Sequence, residues 1–173
     1  MKKQKGAALI VSLVLLTLVA LLGVAGVQTI GLEEKMAGHS FDRNLAFQAA
    51  EAALREAEQY VETDKPTASY TDADDTCPSS AINNCANGLC PPPDKDCTPR
   101  WQYSNFNGWK DATGSLPALA GTQYFIEYLG NTFPCIDGGA SDPKNCKRYR
   151  ITARSNPGAG RASVMLQSVY RTE

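Results

Sequence analysis

The chain has 173 residues, with 17 Lys and Arg against 18 Asp and Glu, a single His and six Cys. A net charge of −1 with no basic cluster in the part beyond the first residues argues against nucleic acid as a direct partner. The length leaves room for one domain beyond a membrane helix.

Residues 1–6, MKKQKG, form a short basic leader that ends in Gly6. Ala7–Val27 is an apolar run, and no charged residue follows until Glu33. A helix of that length and polarity crosses a bilayer. Lys2, Lys3 and Lys5 would hold its start in the cytoplasm, so the rest of the chain should lie outside the inner membrane. Three readings of this stretch remain open. It is an uncut signal anchor, a cleaved secretory signal, or a segment processed after Gly6. For a secretory signal the run is long, and Val24-Ala25-Gly26 is a weak cleavage match. Cleavage after Gly6 would remove only the leader and keep the helix on the mature protein.

Residues 28–62 contain no proline, and the helix is expected to continue through them. Phe47, Ala50, Leu54, Ala57 and Val61 recur at spacings of three and four and share one face, flanked by Ala46, Ala53 and Tyr60. Glu51, Arg55, Glu58 and Glu62 fall opposite. Unbroken from Ala7 to Val61, the helix would be about 80 Å long. Gly23, Gly26, Gly31 and Gly38 weaken it, or serve close helix packing in the membrane. A break is expected at Gly38-His39-Ser40, with Ser40 capping a new start and Asp42 in its first turn.

Residues 63–121 lack periodicity and are rich in turn formers, as in CPPPDKDCTPR. All six cysteines, Cys77, Cys85, Cys90, Cys97, Cys135 and Cys146, lie beyond the helix. An even number in the exported part predicts disulfides. No C-x-x-C pair occurs, which argues against zinc. Short loops favour Cys135–Cys146, Cys77–Cys85 and Cys90–Cys97, each stabilising by about 2–4 kcal/mol. Trp101, Tyr103, Phe106 and Trp109 either anchor this excursion on the core or form an exposed sugar-binding or adhesive surface.

Three strands close the chain. Thr122–Leu129 is β-branched and aromatic. Lys147–Arg154 alternates, with Tyr149, Ile151 and Ala153 to one side and Arg148, Arg150, Thr152 and Arg154 to a solvated side. Arg161–Arg171 repeats the pattern with Ala162, Val164, Leu166 and Tyr170, joined by a hairpin at Ser155–Gly160. Such a sheet needs a cover, and the Phe47–Val61 stripe is the long amphipathic helix available for it. The fold class is therefore α+β, a long helix laid on an antiparallel sheet.

Catalytic chemistry is missing from the sequence. His39, beside Gly38, has no nucleophile or orienting partner near it. Asp72, Asp74 and Asp75, or Asp137 and Asp142, could ligate calcium, but neither stretch matches a complete calcium loop. No enzyme, no metal site and no cofactor is expected.

The leader with Gly6 before the apolar run resembles that of type IV prepilins. LEEKMAG (Leu32–Gly38), DRNLAFQAAEAALR (Asp42–Arg55), ITAR (Ile151–Arg154) and LQSVYR (Leu166–Arg171) are similar to PilX-type minor pilins over about a third of the chain. In the middle, residues 62–147, no likeness is recognised. The resemblance implies cleavage by the prepilin peptidase between Gly6 and Ala7 and N-methylation of Ala7. It implies a pilin-like fold divided into leader (1–6), transmembrane helix (7–27), helix continuation (28–62) and head (63–173). It also implies priming of type IV pilus assembly, a place at or near the tip, and roles in twitching motility and adhesion. The partners would be other minor pilins, the major pilin, the inner membrane and the prepilin peptidase. The location would be the inner membrane and then the pilus. Two positions depart from the common pilin pattern: the mature chain would begin with Ala7 rather than Phe, and its fifth residue would be Val11 rather than Glu. In the family that glutamate neutralises the N-terminal amine of a neighbouring subunit as it docks, so its loss fits a subunit with none above it. The rivals are a minor pseudopilin of type II secretion and a membrane-anchored periplasmic binding protein.

Overall fold

The computed structural model describes residues 6–69, 82–113, 121–135, 145–155, 158 and 160–172. The chain divides after Phe41 into two units. Helix α1 runs Ala7–Asp64. It stays helical through Gly38, His39 and Ser40, so the expected break there is absent. Propagating a helix adds one hydrogen bond per residue, and this gain carries the segment through a single glycine that costs about 1 kcal/mol.

The second unit, from Asp42 onward, holds the sheet. Its strands are β1 (Leu89–Cys90), β2 (Lys110–Asp111), β3 (Gln123–Phe133), β4 (Cys146–Arg154) and β5 (Met165–Arg171). The order is β1-β3-β4-β5, with β2 also on β3. The three expected strands are present; the first is longer than expected, and the last begins at Met165 rather than Arg161. Antiparallel pairing sets Tyr128 opposite Tyr149 and Tyr149 opposite Tyr170. Pairing shifts around Gly130, whose φ of +115° a side chain rarely adopts, and β3 bulges there. The sheet is mixed rather than purely antiparallel, because β1 runs parallel to β3.

One face of the sheet carries Tyr124, Ile126, Tyr128, Tyr149, Ile151 and Ala153, all buried against Ala53, Ala57 and Val61 of α1. The helix side of this core is a seam of small residues: Ala46, Ala49, Ala50, Ala53, Ala57 and Val61 are all buried. Alanine lets the helix backbone approach large tyrosines. The expected stripe is thus corrected at Phe47, which is 47% exposed.

The other face is covered as well. Phe125 packs with Ile82, Cys90 and Phe106, with Tyr103 and Trp109 against them. Phe106, Trp109 and Phe125 meet edge to face at 4.9–5.8 Å. These aromatics anchor the loop on the core, while Trp101 is exposed. At Gly108 a Cβ would lie 2.6 Å from the Phe106 ring and 2.8 Å from Cys85 Sγ, so only glycine lets the loop pass so close.

Candidate functional site

The candidate site is α1 itself, taken unit by unit. Ala7 is the first helical residue and Gly6 precedes it, exposed, with φ of +58°. The Gly6–Ala7 peptide bond therefore sits where the helix begins.

From Ala7 to Val27 every residue is exposed, and Leu9, Leu16 and Leu22 expose 70–74% of their surface. Within this first unit the helix is apolar all round, as a lipid-spanning segment requires. Its two side-chain hydroxyls do not break the rule. Ser12 Oγ donates to the Leu9 carbonyl at 2.9 Å and Thr17 Oγ1 to that of Val14 at 2.8 Å. Each satisfies itself within the helix, so neither demands water or a partner. Val11, at 57% exposure, presents an apolar surface where the common pilin pattern has a carboxylate. Ile30, Leu32, Met36 and Phe41 continue the exposed apolar surface among charged neighbours.

In the second unit, polar bonds fasten the helix along the alanine seam. Asp42 accepts from Arg161 Nε at 2.9 Å and from the Ala162 N–H, which ties the helix to the turn before β5. Glu58 accepts from Ser168 Oγ at 2.9 Å and Glu62 from Tyr170 at 3.2 Å, both on β5. Glu56 takes both the backbone N–H and the hydroxyl of Thr113. Of the residues expected opposite the seam, Glu58 is half-buried by its bond to the sheet, Glu62 bonds to the sheet while staying exposed, and Glu51 and Arg55 face outward and pair with each other at 2.5 Å. At the end of α1 the Tyr149 hydroxyl donates to the Pro66 carbonyl at 2.8 Å, and Lys147 Nζ donates to that of Lys65. Burial pushes the Tyr149 phenol well above its ordinary range, with the neighbouring Tyr128 and Tyr60 adding to the effect.

Cys135–Cys146 is bonded as expected and closes the β3–β4 connection. Cys85 pairs with Cys90, which overturns both Cys77–Cys85 and Cys90–Cys97. The five-residue spacing places the two sulfurs at the turn Ala86–Gly88, whose carbonyls and N–H groups bring Ala86 and Leu89 together. Cys97 is also disulfide-bonded, and Cys77 lies outside the described residues. The calcium candidates Asp72, Asp74, Asp75, Asp137 and Asp142 lie outside them too. His39 is exposed in mid-helix.

Sequence reasoning missed one constellation. Glu127, 1% exposed, receives Arg100 Nη1 on Oε1 at 2.5 Å and Arg150 Nε on Oε2 at 2.6 Å. The arginines of β4 do not form a solvated face. Arg150 is held by Glu127, Arg148 lies 4.6 Å from the Phe133 ring, and Arg154 lies 3.8 Å from that of Trp109. The lone acid in TQYFIEYL was the available signal, since a charge inside a strand of that character requires an opposite charge beside it.

Two family models match the chain: PilX N-terminal over residues 5–55, and Type IV pilus assembly protein PilX C-term over residues 86–172. No curated protein and no solved structure matches it. The first match takes in the Gly6–Ala7 junction, the apolar helix and most of the alanine seam, and the second takes in the whole sheet. With half of the chain in the second match alone, the protein belongs to the PilX family of type IV pilus assembly proteins.

Proposed function

We propose that the chain is a non-catalytic minor pilin. It is cut by the prepilin peptidase after Gly6, methylated on the new N-terminus at Ala7, and held in the inner membrane by Ala7–Val27 with its head in the periplasm. It then joins other minor pilins to prime assembly of a pilus built from the major pilin, and it stays at or near the tip, supporting twitching motility and adhesion.

The observation that carries this reading is the fully exposed apolar surface of Ala7–Val27, beginning directly after Gly6. In water that surface is unfavourable; in lipid, or among the helices of a filament, it is covered. A subunit moves from one apolar environment to the other with little cost, so assembly is packing rather than chemistry. Val11 supports the tip position, because a subunit with no neighbour above it has no use for a docking carboxylate.

Deletion of the gene and complementation in the host tests the proposal. Loss of surface pili and twitching, with protein secretion intact, is the expected result. Intact pili with failed secretion would move the chain to a type II secretion apparatus. Neither defect would leave an anchored binding protein.

A further inference from the structure

In the order of the sheet β5 comes last, and among the described residues it pairs with β4 alone. The Thr172 N–H donates to the Lys147 carbonyl at 3.1 Å and the Ser155 N–H to that of Val164 at 2.9 Å, which fixes the phase of the ladder. Even-numbered residues from Val164 to Thr172 turn their N–H and C=O groups to β4; Met165, Gln167, Val169 and Arg171 turn theirs outward. An edge of this length is normally blunted by proline, by lysine or by a bulge. Met165–Arg171 contains neither residue, and its register against β4 is unbroken.

The two sides of this edge differ. Ser168 and Tyr170 bond to α1, so the side chains of Met165, Gln167, Val169 and Arg171 lie on the opposite face. There Met165 is 40% and Val169 63% exposed. On the α1 side, Phe47, Glu51, Leu54, Glu58 and Glu62 form one stripe at spacings of three and four, and the bonds of Glu58 and Glu62 set it over β5. Glu58 and Glu62 accept from neutral hydroxyls, and among the described residues neither forms an ion pair. The cations of this side are engaged elsewhere: Arg55 with Glu51, Arg161 with Asp42, and Lys147 at the Lys65 carbonyl.

We propose that the free edge of β5 takes an added strand from a partner protein, one that alternates cationic and apolar residues. Its backbone completes the outward N–H and C=O groups of β5. Its cations reach Glu58 and Glu62, and its apolar residues lie beside Met165 and Val169. A second copy of this chain is a poor occupant. The side chains that its own β5 presents toward α1 are Leu166, Ser168 and Tyr170, none of them cationic, and an antiparallel pairing would bring two sets of Glu58 and Glu62 to the same face.

The full chain in nonionic detergent micelles is titrated with a blocked heptapeptide alternating lysine and valine, and with a twin alternating glutamate and valine. The lysine peptide should bind about tenfold tighter. Changing Glu58→Gln and Glu62→Gln together should remove most of that preference. Val169→Pro deletes an outward N–H that β4 does not use, and should weaken the lysine peptide about tenfold. A control on the peptide leaves β5 intact: N-methylation at every valine should abolish binding of an antiparallel strand, and at every lysine that of a parallel one. Equal binding of the two charge twins, a preference that survives the double variant, or full binding of both methylated peptides would overturn the proposal. A chain that sediments as a dimer in the micelle, and as a monomer after Val169→Pro, would give the edge to a second copy and overturn it too. The proposal does not rest on the pilus role, and its failure would leave that role standing.

Discussion

The two faces of the sheet solve the same problem with opposite materials. Toward α1, tyrosines and isoleucine meet alanine; the contact is small against large, apolar and regular. Toward the loop, Phe125 meets aromatics and a disulfide, and the same strand buries Glu127 between two arginines. A regular helix can cover a face by spacing alone. An irregular loop has no spacing to rely on and is held by cross-links and specific charges instead. The helix face should therefore tolerate polar change at its border but not added volume in its seam, and the loop face should fail at the loss of a single charge.

Glu127→Gln tests the loop face most severely. It leaves two guanidiniums at a buried position without their counter-charge, and denaturant unfolding of the head should show a loss of about 3–5 kcal/mol. Ala57→Leu, at a position with 0% exposure, forces extra volume into the seam and should cost about 1–3 kcal/mol by the same measurement. The tyrosine side of that contact titrates. Burial holds the Tyr149 phenol above its unfolded value, so its contribution is complete below about pH 10 and falls as pH rises beyond that. Thermal unfolding should drop on the alkaline side, and Tyr149→Phe should flatten the drop, with a small constant cost for the lost bond to Pro66. Phe47→Ser marks the border of the seam. At 47% exposure it should change head stability by no more than about 0.5 kcal/mol, whereas membership of the core would make it far more damaging.

Much of the helix face was legible in the sequence. Ala50, Ala57 and Val61 sit at helical spacing, and Tyr149, Ile151 and Ala153 alternate as a half-buried strand must. Phe47 was misplaced because periodicity fixes a direction only to within a residue, and hydrophobicity favoured the phenylalanine over the neighbouring Ala46. The polar bonds of Asp42, Glu58 and Glu62 were not legible, because a solvated acid and an acid bonded to a strand look alike in sequence. Gly38 misled in the other direction: its propensity penalty is local, and the helix on both sides outweighs it. Two of the three expected disulfides failed because they paired the cysteines in sequence order and passed over the shorter loop between Cys85 and Cys90, which meet because Gly88 turns the chain between them with φ of +81°.

The most direct measurement is the intact mass and N-terminus of the protein from its own host, with and without the prepilin peptidase. A chain that begins at methylated Ala7 only when the peptidase is present is the predicted result. It would show that Ala7–Val27 is kept on the mature subunit for assembly. A chain that begins at Met1 in both strains would contradict it and leave an anchored domain. A chain that begins near Val27 would mean that the apolar helix is discarded and takes no part in a filament.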